Sequence, residues 1–150
     1  MSREYPDHPI VGVGVVVLSG DRVLLVRRGQ APNKDRWSLP GGGQELGETY
    51  RAAAEREVRE ETAVEVEVRG LIDVVDSITR DEAGRIRFHY VLVDVLAVWR
   101  SGEVRAGGDA AEARWFALDD LAGRGLWSET LRVIRRGYDI ERGLAKAHSQ

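Results

Sequence analysis

The sequence predicts an α/β protein, a three-layer sandwich in which a mixed central sheet carries one helix on each face. Three observations support this. Apolar, β-branched runs recur along the chain, at Ile10 to Leu18, Arg22 to Arg27 and Ile86 to Trp99. A stretch free of proline and glycine, Thr49 to Thr62, interrupts the strands and contains the strong helix formers Ala52, Ala53 and Ala54. A second stretch with apolar residues near helical spacing, Ser128 to about Arg142, comes last. At 150 residues the chain is the size of one domain and can bury a core without covalent staples, so residues 1–150 are read as a single domain with its core at about 8–143.

Taken in order, Ile10 to Leu18 is apolar on both faces, as a buried central strand must be. Gly12 and Gly14 leave room in it for a close neighbour. Ser19, Gly20 and Asp21 turn the chain into Arg22 to Arg27, the hairpin partner. Arg27 and Arg28 emerge at the end of that strand, and the loop Gly29 to Arg36 leads to Trp37. The first helix has Thr49 as its N-cap and Ala53, Ala54 and Val58 as its apolar stripe. Val64 to Val68 alternates apolar and charged residues, the pattern of a half-buried strand that continues to Thr79. Arg80 to Arg85 is a turn and Ile86 to Trp99 a long paired strand. His89, alone within it, is not read as catalytic. Arg100 to Ala111, with Gly102, Gly107 and Gly108, is the expected mobile substrate loop, closed by Glu112 just before a strand at Ala113 to Ala117. Leu118 to Leu121 is a short helix or turn; Leu131, Ile134 and Tyr138 mark the final helix, and Lys146 to Gln150 should fray.

Composition narrows the function. With 22 basic and 25 acidic residues spread along the chain and a net charge of −3, there is no electrostatic footprint for nucleic acid or an anionic membrane. Any phosphate recognition must be local. Cysteine is absent, which excludes disulfides and thiolate metal sites and leaves oxygen or histidine ligands. The polar N-terminus has no apolar signal region and the longest apolar run is too short to span a bilayer, so the simplest location is the cytoplasm.

The most informative stretch is a glycine loop running into an acidic helix. Glu57, Glu60 and Glu61 stand three and four residues apart, nearly on one helical face. Like charges at these spacings repel by about 0.2–0.5 kcal/mol per pair, and the C-terminal end of a helix disfavours anions. A cation should compensate. Arg56 and Arg59 are at hand, but a hard divalent ion with oxygen ligands fits better, because Mg²⁺ takes one or two carboxylates together with waters and phosphate oxygens. Ahead of the helix, Gly41, Gly42, Gly43 and Gly47 let the backbone approach a ligand closely, and Pro40 stiffens the entry.

Read together, Gly42, five residues, Glu48, seven residues, Arg56-Glu57-Val58, one residue, Glu60-Glu61, one residue and Ala63-Val64 resemble the Nudix box, written G-x5-E-x7-R-E-U-x-E-E-x-G-U with U aliphatic. One position departs. Ala63 stands where the family has the glycine that ends the helix at positive φ, at an expected cost of about 1 kcal/mol or a small shift of the helix end. The segments Val23 to Arg28, Trp37 to Pro40, His89 to Asp94 and Glu112 to Phe116 extend the resemblance over most of the chain, towards the ADP-ribose pyrophosphatase branch.

The resemblance implies the Nudix fold and a set of roles. Glu57 and Glu61 would be the principal Mg²⁺ ligands, with Mn²⁺ a substitute. Glu60 would be a further ligand or a water-mediated contact, and the Gly41 carbonyl another ligand. Arg56, placed opposite the metal face, would pair with Glu48 and hold the glycine loop on the helix. The general base would be Glu112 or a box glutamate, Glu60 or Glu61. Arg27 or Arg28 would contact substrate phosphate or pair with a box glutamate, and Trp37, Gly41 and Gly42 would line the substrate. That substrate is implied to be a small-molecule nucleotide, a nucleoside diphosphate linked to another group, with ADP-ribose giving AMP and ribose 5-phosphate. Two alternatives stay open: an oxidised-nucleoside-triphosphate pyrophosphohydrolase, and a module that senses a nucleotide without cutting it. The family also suggests a homodimer.

Overall fold

Alternation along the central strand sets the layers. In β1 (Ile10–Ser19), Val13, Val15 and Val17 face one side of the sheet and Val16 and Leu18 the other, all essentially buried. Such a strand needs cover on both faces, and two helices supply it. The first, α1 (Tyr50–Thr62), joins Ala53, Ala54 and Val58 to a cluster with Val13, Val15, Val17, Leu24, Val95 and Ala97. The second, α2 (Ser128–His148), brings Val133 and Ile134 to the opposite face with Val16, Leu18, Val23, Leu25 and Leu96. Each fully buried valine, leucine or isoleucine contributes about 1.5–3 kcal/mol relative to exposure, so these two clusters are what fix the helices on the sheet. The structure, a computed structural model, describes residues 3–29 and 34–148, with side chains as far as Leu144.

Among the described residues the sheet has seven strands. On one side β1 runs parallel to β6 (Ile86–Ser101), from Ile10 opposite Tyr90 to Leu18 opposite Val98, and β5 (Glu65–Arg80) completes that edge antiparallel to β6. On the other side β1 meets β2 (Arg22–Arg28) only at Leu18–Val23 and Ser19–Arg22. Two short strands enter where they part: β3 (Trp37–Ser38) pairs with β2 and β4 (Gly41–Gly43) with β1. The last strand, β7 (Ala110–Ala117), runs antiparallel to β2. The glycine loop of the sequence is therefore a strand of the sheet, beside the first half of β1.

Boundaries differ from expectation in three places, each for a tertiary reason. β7 begins at Ala110 rather than Ala113 because β2 offers partners as far as Arg28, so Glu112 is a strand residue opposite Arg27 and not the end of a loop. α2 continues to His148, beyond Arg142 and into the segment expected to fray; residues 149 and 150 of that segment lie outside the described residues. Of the loop Gly29 to Arg36, residues 30–33 also lie outside them, while Arg28 N–H to Arg36 O at 3.1 Å closes its base. Among the described residues no helix is long and apolar enough to cross a membrane.

Candidate active site

The site begins with how α1 is held. Thr49 caps it, its hydroxyl accepting the Ala52 N–H at 3.0 Å. At the other end Ala63 takes φ 66° and ψ 8°, the left-handed conformation favoured by glycine, and its N–H bonds to Arg59 O at 3.0 Å. The helix thus ends where the box requires, with an alanine carrying the strain. The stretch expected to be a mobile substrate loop instead caps this end: Arg105 N–H donates to Thr62 O at 2.9 Å and Gly107 N–H to Glu61 O at 3.1 Å. Those bonds satisfy carbonyls that a helix terminus leaves unpaired.

β4 faces the acidic side of the helix. Gly41, Gly42 and Gly43 pair with Gly14, Val13 and Gly12. A β-carbon on Gly41 would strike the Val13 carbonyl, and one on Gly42 would sit 2.6–2.8 Å from the Glu57 carboxylate. Only a strand without side chains fits between β1 and Glu57. The Gly41 N–H donates to Glu61 Oε1 at 2.7 Å. Glu61 is 6% exposed, and its pKa is pushed up to about 7, chiefly by burial; the Gly41 hydrogen bond opposes this, Glu57 adds to it, Arg28 opposes it and Asp109 adds to it. Burial likewise raises Glu57 against the pull of Arg56.

Arg56 organises the outer side. Its guanidinium grips Glu48 through Nε at 2.6 Å and Nη2 at 2.9 Å, and Nη2 also reaches Gly43 O at 3.1 Å. This two-pronged contact ties the loop after β4 to the helix and lowers the Glu48 carboxyl to about 2. The expectation that Arg56 lies opposite the metal face is corrected, since its Nη1 bonds to Glu57 at 2.9 Å and to Glu60 at 3.3 Å.

Glu60, expected as a further ligand or a water-mediated contact, differs from the other two in its exposure. Its side chain is 55% exposed and shares Arg56 Nη1 with Glu57, beside that carboxylate but outside the buried space around Glu61. Helical geometry gives the reason: at about 100° per residue, Glu61 lies about 40° to one side of Glu57 and Glu60 about 60° to the other. β4 covers only the Glu61 side. Among the described residues no three acidic or histidine side chains converge into a metal cage. What converges is a buried carboxylate, Glu61, and a half-buried one, Glu57, beside glycine backbone.

The remaining predicted residues divide between the two faces of the sheet. Arg28 is in electrostatic range of Glu61, as is Asp109, whose carbonyl accepts the Gly29 N–H at 3.0 Å. Arg27 points the other way, bridging Asp35 at 2.9 Å and Glu112 at 3.3 Å. Glu112 shares its face of β7 with Arg114 and Phe116, in the cluster under α2, where Arg114 lies over both Trp37 and Phe116 and the two rings meet edge to face at 4.9 Å. The structure therefore brings together Gly41, Gly42, Glu57, Glu61 and Arg28, and separates from them Arg27, Trp37 and Glu112. Asp109 was missed by sequence reasoning; its signal was an acid following Gly107-Gly108 just ahead of β7.

Two carboxylates with raised pKa, 40° apart on a helix and backed by glycine, fit a divalent cation: a pair that repels itself when both ionise is stabilised by a 2+ charge, and Mg²⁺ asks for no more protein ligands than this. The arrangement can hold such an ion and, through it, anionic oxygens. The chain belongs to the Nudix family: the family model described as NUDIX domain matches residues 8–136. Over 114 residues it is 38% identical to a Methanocaldococcus jannaschii protein named ADP-ribose pyrophosphatase, a match covering 76% of this chain and 65% of that protein. The chain thus spans just under two thirds of that relative. It is 33% identical over 120 residues to a MutT-like protein of Streptomyces ambofaciens, covering 79% of this chain and 70% of the other. A solved structure of a MutT NUDIX hydrolase from Burkholderia pseudomallei is similar with a TM-score of 0.75 and 34% identity, over 87% of this chain and 98% of that one.

Proposed function

We propose that the protein hydrolyses the pyrophosphate link of a nucleoside diphosphate joined to a second group, with ADP-ribose as substrate and AMP and ribose 5-phosphate as products. The observation that carries this is the pair of the half-buried Glu57 and the buried Glu61 against β4. The choice of ADP-ribose is supported by the 38% identity to the Methanocaldococcus jannaschii protein named ADP-ribose pyrophosphatase. Mg²⁺, or Mn²⁺ in its place, held by Glu57 and Glu61 with the Gly41 carbonyl, would neutralise the diphosphate oxygens and make a bound water nucleophilic. Glu48 and Arg56 hold the loop and helix in register for that binding. Arg28, on the same face, supplies positive charge for a phosphate.

For the accessory carboxylate that orients or deprotonates the water, the geometry favours Asp109 or Glu61 over Glu112. Glu112 is engaged by Arg27 on the far face, and Glu60 by Arg56. The homodimer and the cytoplasmic location expected from sequence belong to this reading too; sedimentation of the purified chain tests the first and fractionation of cells the second.

The deciding experiment measures turnover of ADP-ribose, NADH, diadenosine polyphosphates and 8-oxo-dGTP with Mg²⁺ and identifies the products. AMP and ribose 5-phosphate from ADP-ribose are expected. Efficient triphosphate cleavage without ADP-ribose cleavage would replace the substrate assignment. Calorimetric binding of ADP-ribose with no AMP after prolonged incubation would make the protein a sensor.

A further inference from the structure

Arg3 is far in sequence from the helix and glycine strand, yet its guanidinium rests on Gly43. Nη2 lies 2.6 Å and Cζ 3.1 Å from the point that a β-carbon of Gly43 would occupy. It is close enough to Glu57 to act on that carboxyl as a stabilising positive charge. The arm that carries it is braced on the β5–β6 hairpin. Tyr5 N–H donates to Arg87 O at 2.7 Å, and the Tyr5 hydroxyl donates to Asp81 at 2.9 Å. The Arg85 guanidinium lies 4.7 Å from the Tyr5 ring, and Glu4 pairs with Arg87 at 2.7 Å. Tyr5 has φ 52°, a left-handed conformation that a bulky residue keeps only when its surroundings over-determine it. These contacts do so.

The neighbouring cation, Arg56, is fully committed to Glu48, Gly43, Glu57 and Glu60. Arg3 makes no hydrogen bond or ion pair with any described residue, and it is exposed at the rim of the site. A planar fork of donors with no hydrogen bond to a described residue, fixed at the edge of a strand that faces the Glu57 and Glu61 carboxylates, is suited to a phosphate oxygen.

We propose that Arg3 is a substrate-binding residue, delivered by the N-terminal arm to grip a non-bridging oxygen of the substrate's diphosphate at the Gly43 end of the site. The hairpin residues Asp81, Arg85 and Arg87 are its mount, acting through Tyr5. The proposal rests on the pyrophosphohydrolase reading, because it takes the diphosphate to lie along β4. It makes the arm part of the binding machinery, although no box position points to it.

The test is calorimetric titration with a methylene-bridged nucleoside diphosphate, which cannot be cleaved, in the presence of Mg²⁺, alongside Mn²⁺ binding without nucleotide. Arg3→Ala should weaken the diphosphonate by about tenfold, the worth of one or two charge-assisted hydrogen bonds. Arg3→Lys should recover part of this, Tyr5→Ala should shift affinity in the same direction, and Mn²⁺ binding alone should not weaken. Equal diphosphonate affinity in wild type and Arg3→Ala overturns the assignment. Tighter Mn²⁺ binding in Arg3→Ala with no diphosphonate effect also overturns it, making Arg3 a competitor for the cation. Arg3-dependent diphosphonate binding in a protein that cleaves no substrate leaves Arg3 in place and removes the hydrolase reading alone.

Discussion

Glu61→Gln separates the cost of burying a carboxylate from its use. Burial moves this carboxyl from an ordinary 4.5 to about 7 in the metal-free fold. A pKa raised in the folded state means that the native protein binds more protons than the unfolded chain between those values, so stability falls as pH rises from about 4.5 to about 7 and levels off above. At about 1.4 kcal/mol per pH unit, a rise of about 2.5 units corresponds to about 3 kcal/mol lost by pH 8. Glutamine keeps the shape and, through its amide oxygen, the bond from Gly41 N–H, but it cannot ionise. Chemical denaturation in the presence of a chelator should therefore show the variant more stable than wild type by about 3 kcal/mol at pH 8, and nearly equal to it at pH 4.5. Added Mg²⁺ should stabilise wild type far more than the variant, while turnover of the variant falls by orders of magnitude. Identical pH profiles for the two proteins would show that Glu61 ionises freely in the fold. Unchanged turnover would show that the cation is held elsewhere.

Four other substitutions probe the same frame. Ala63→Gly should raise stability by about 1 kcal/mol in thermal or chemical unfolding, because the left-handed conformation at φ 66° costs alanine more than glycine. Asp109→Asn should lower kcat by about 10²-fold or more if it assists the attacking water, whereas Glu112→Gln should leave kcat within about threefold; steady-state kinetics of the two side by side would expose a reversed order. Gly42→Ala should abolish turnover with the fold retained by circular dichroism, since its β-carbon needs the space that the Glu57 carboxylate fills at 2.6 Å; an active variant would mean that Glu57 can move without loss.

What the sequence determined by itself is whatever depends on periodicity and local chemistry. The uninterrupted apolar run of β1 predicted a strand covered on both faces, and Val13 and Val16 indeed belong to different clusters. The run from Thr49 to Thr62 set the helix, its cap and its acidic side, and the box spacing brought Glu48 within reach of Arg56. Only the tertiary structure decided which of those acids share a site. Spacing along a helix places Glu57, Glu60 and Glu61 in a fan, and nothing in it says which edge a distant strand will cover; β4 covers the Glu61 edge and leaves Glu60 to Arg56 and water. Strand membership is equally non-local, because pairing with β2 turned Glu112 from a loop end into a partner of Arg27. The contacts of Asp109 and Arg3 with the site arise from folding alone, between segments separated by much of the chain, and no local pattern encodes them.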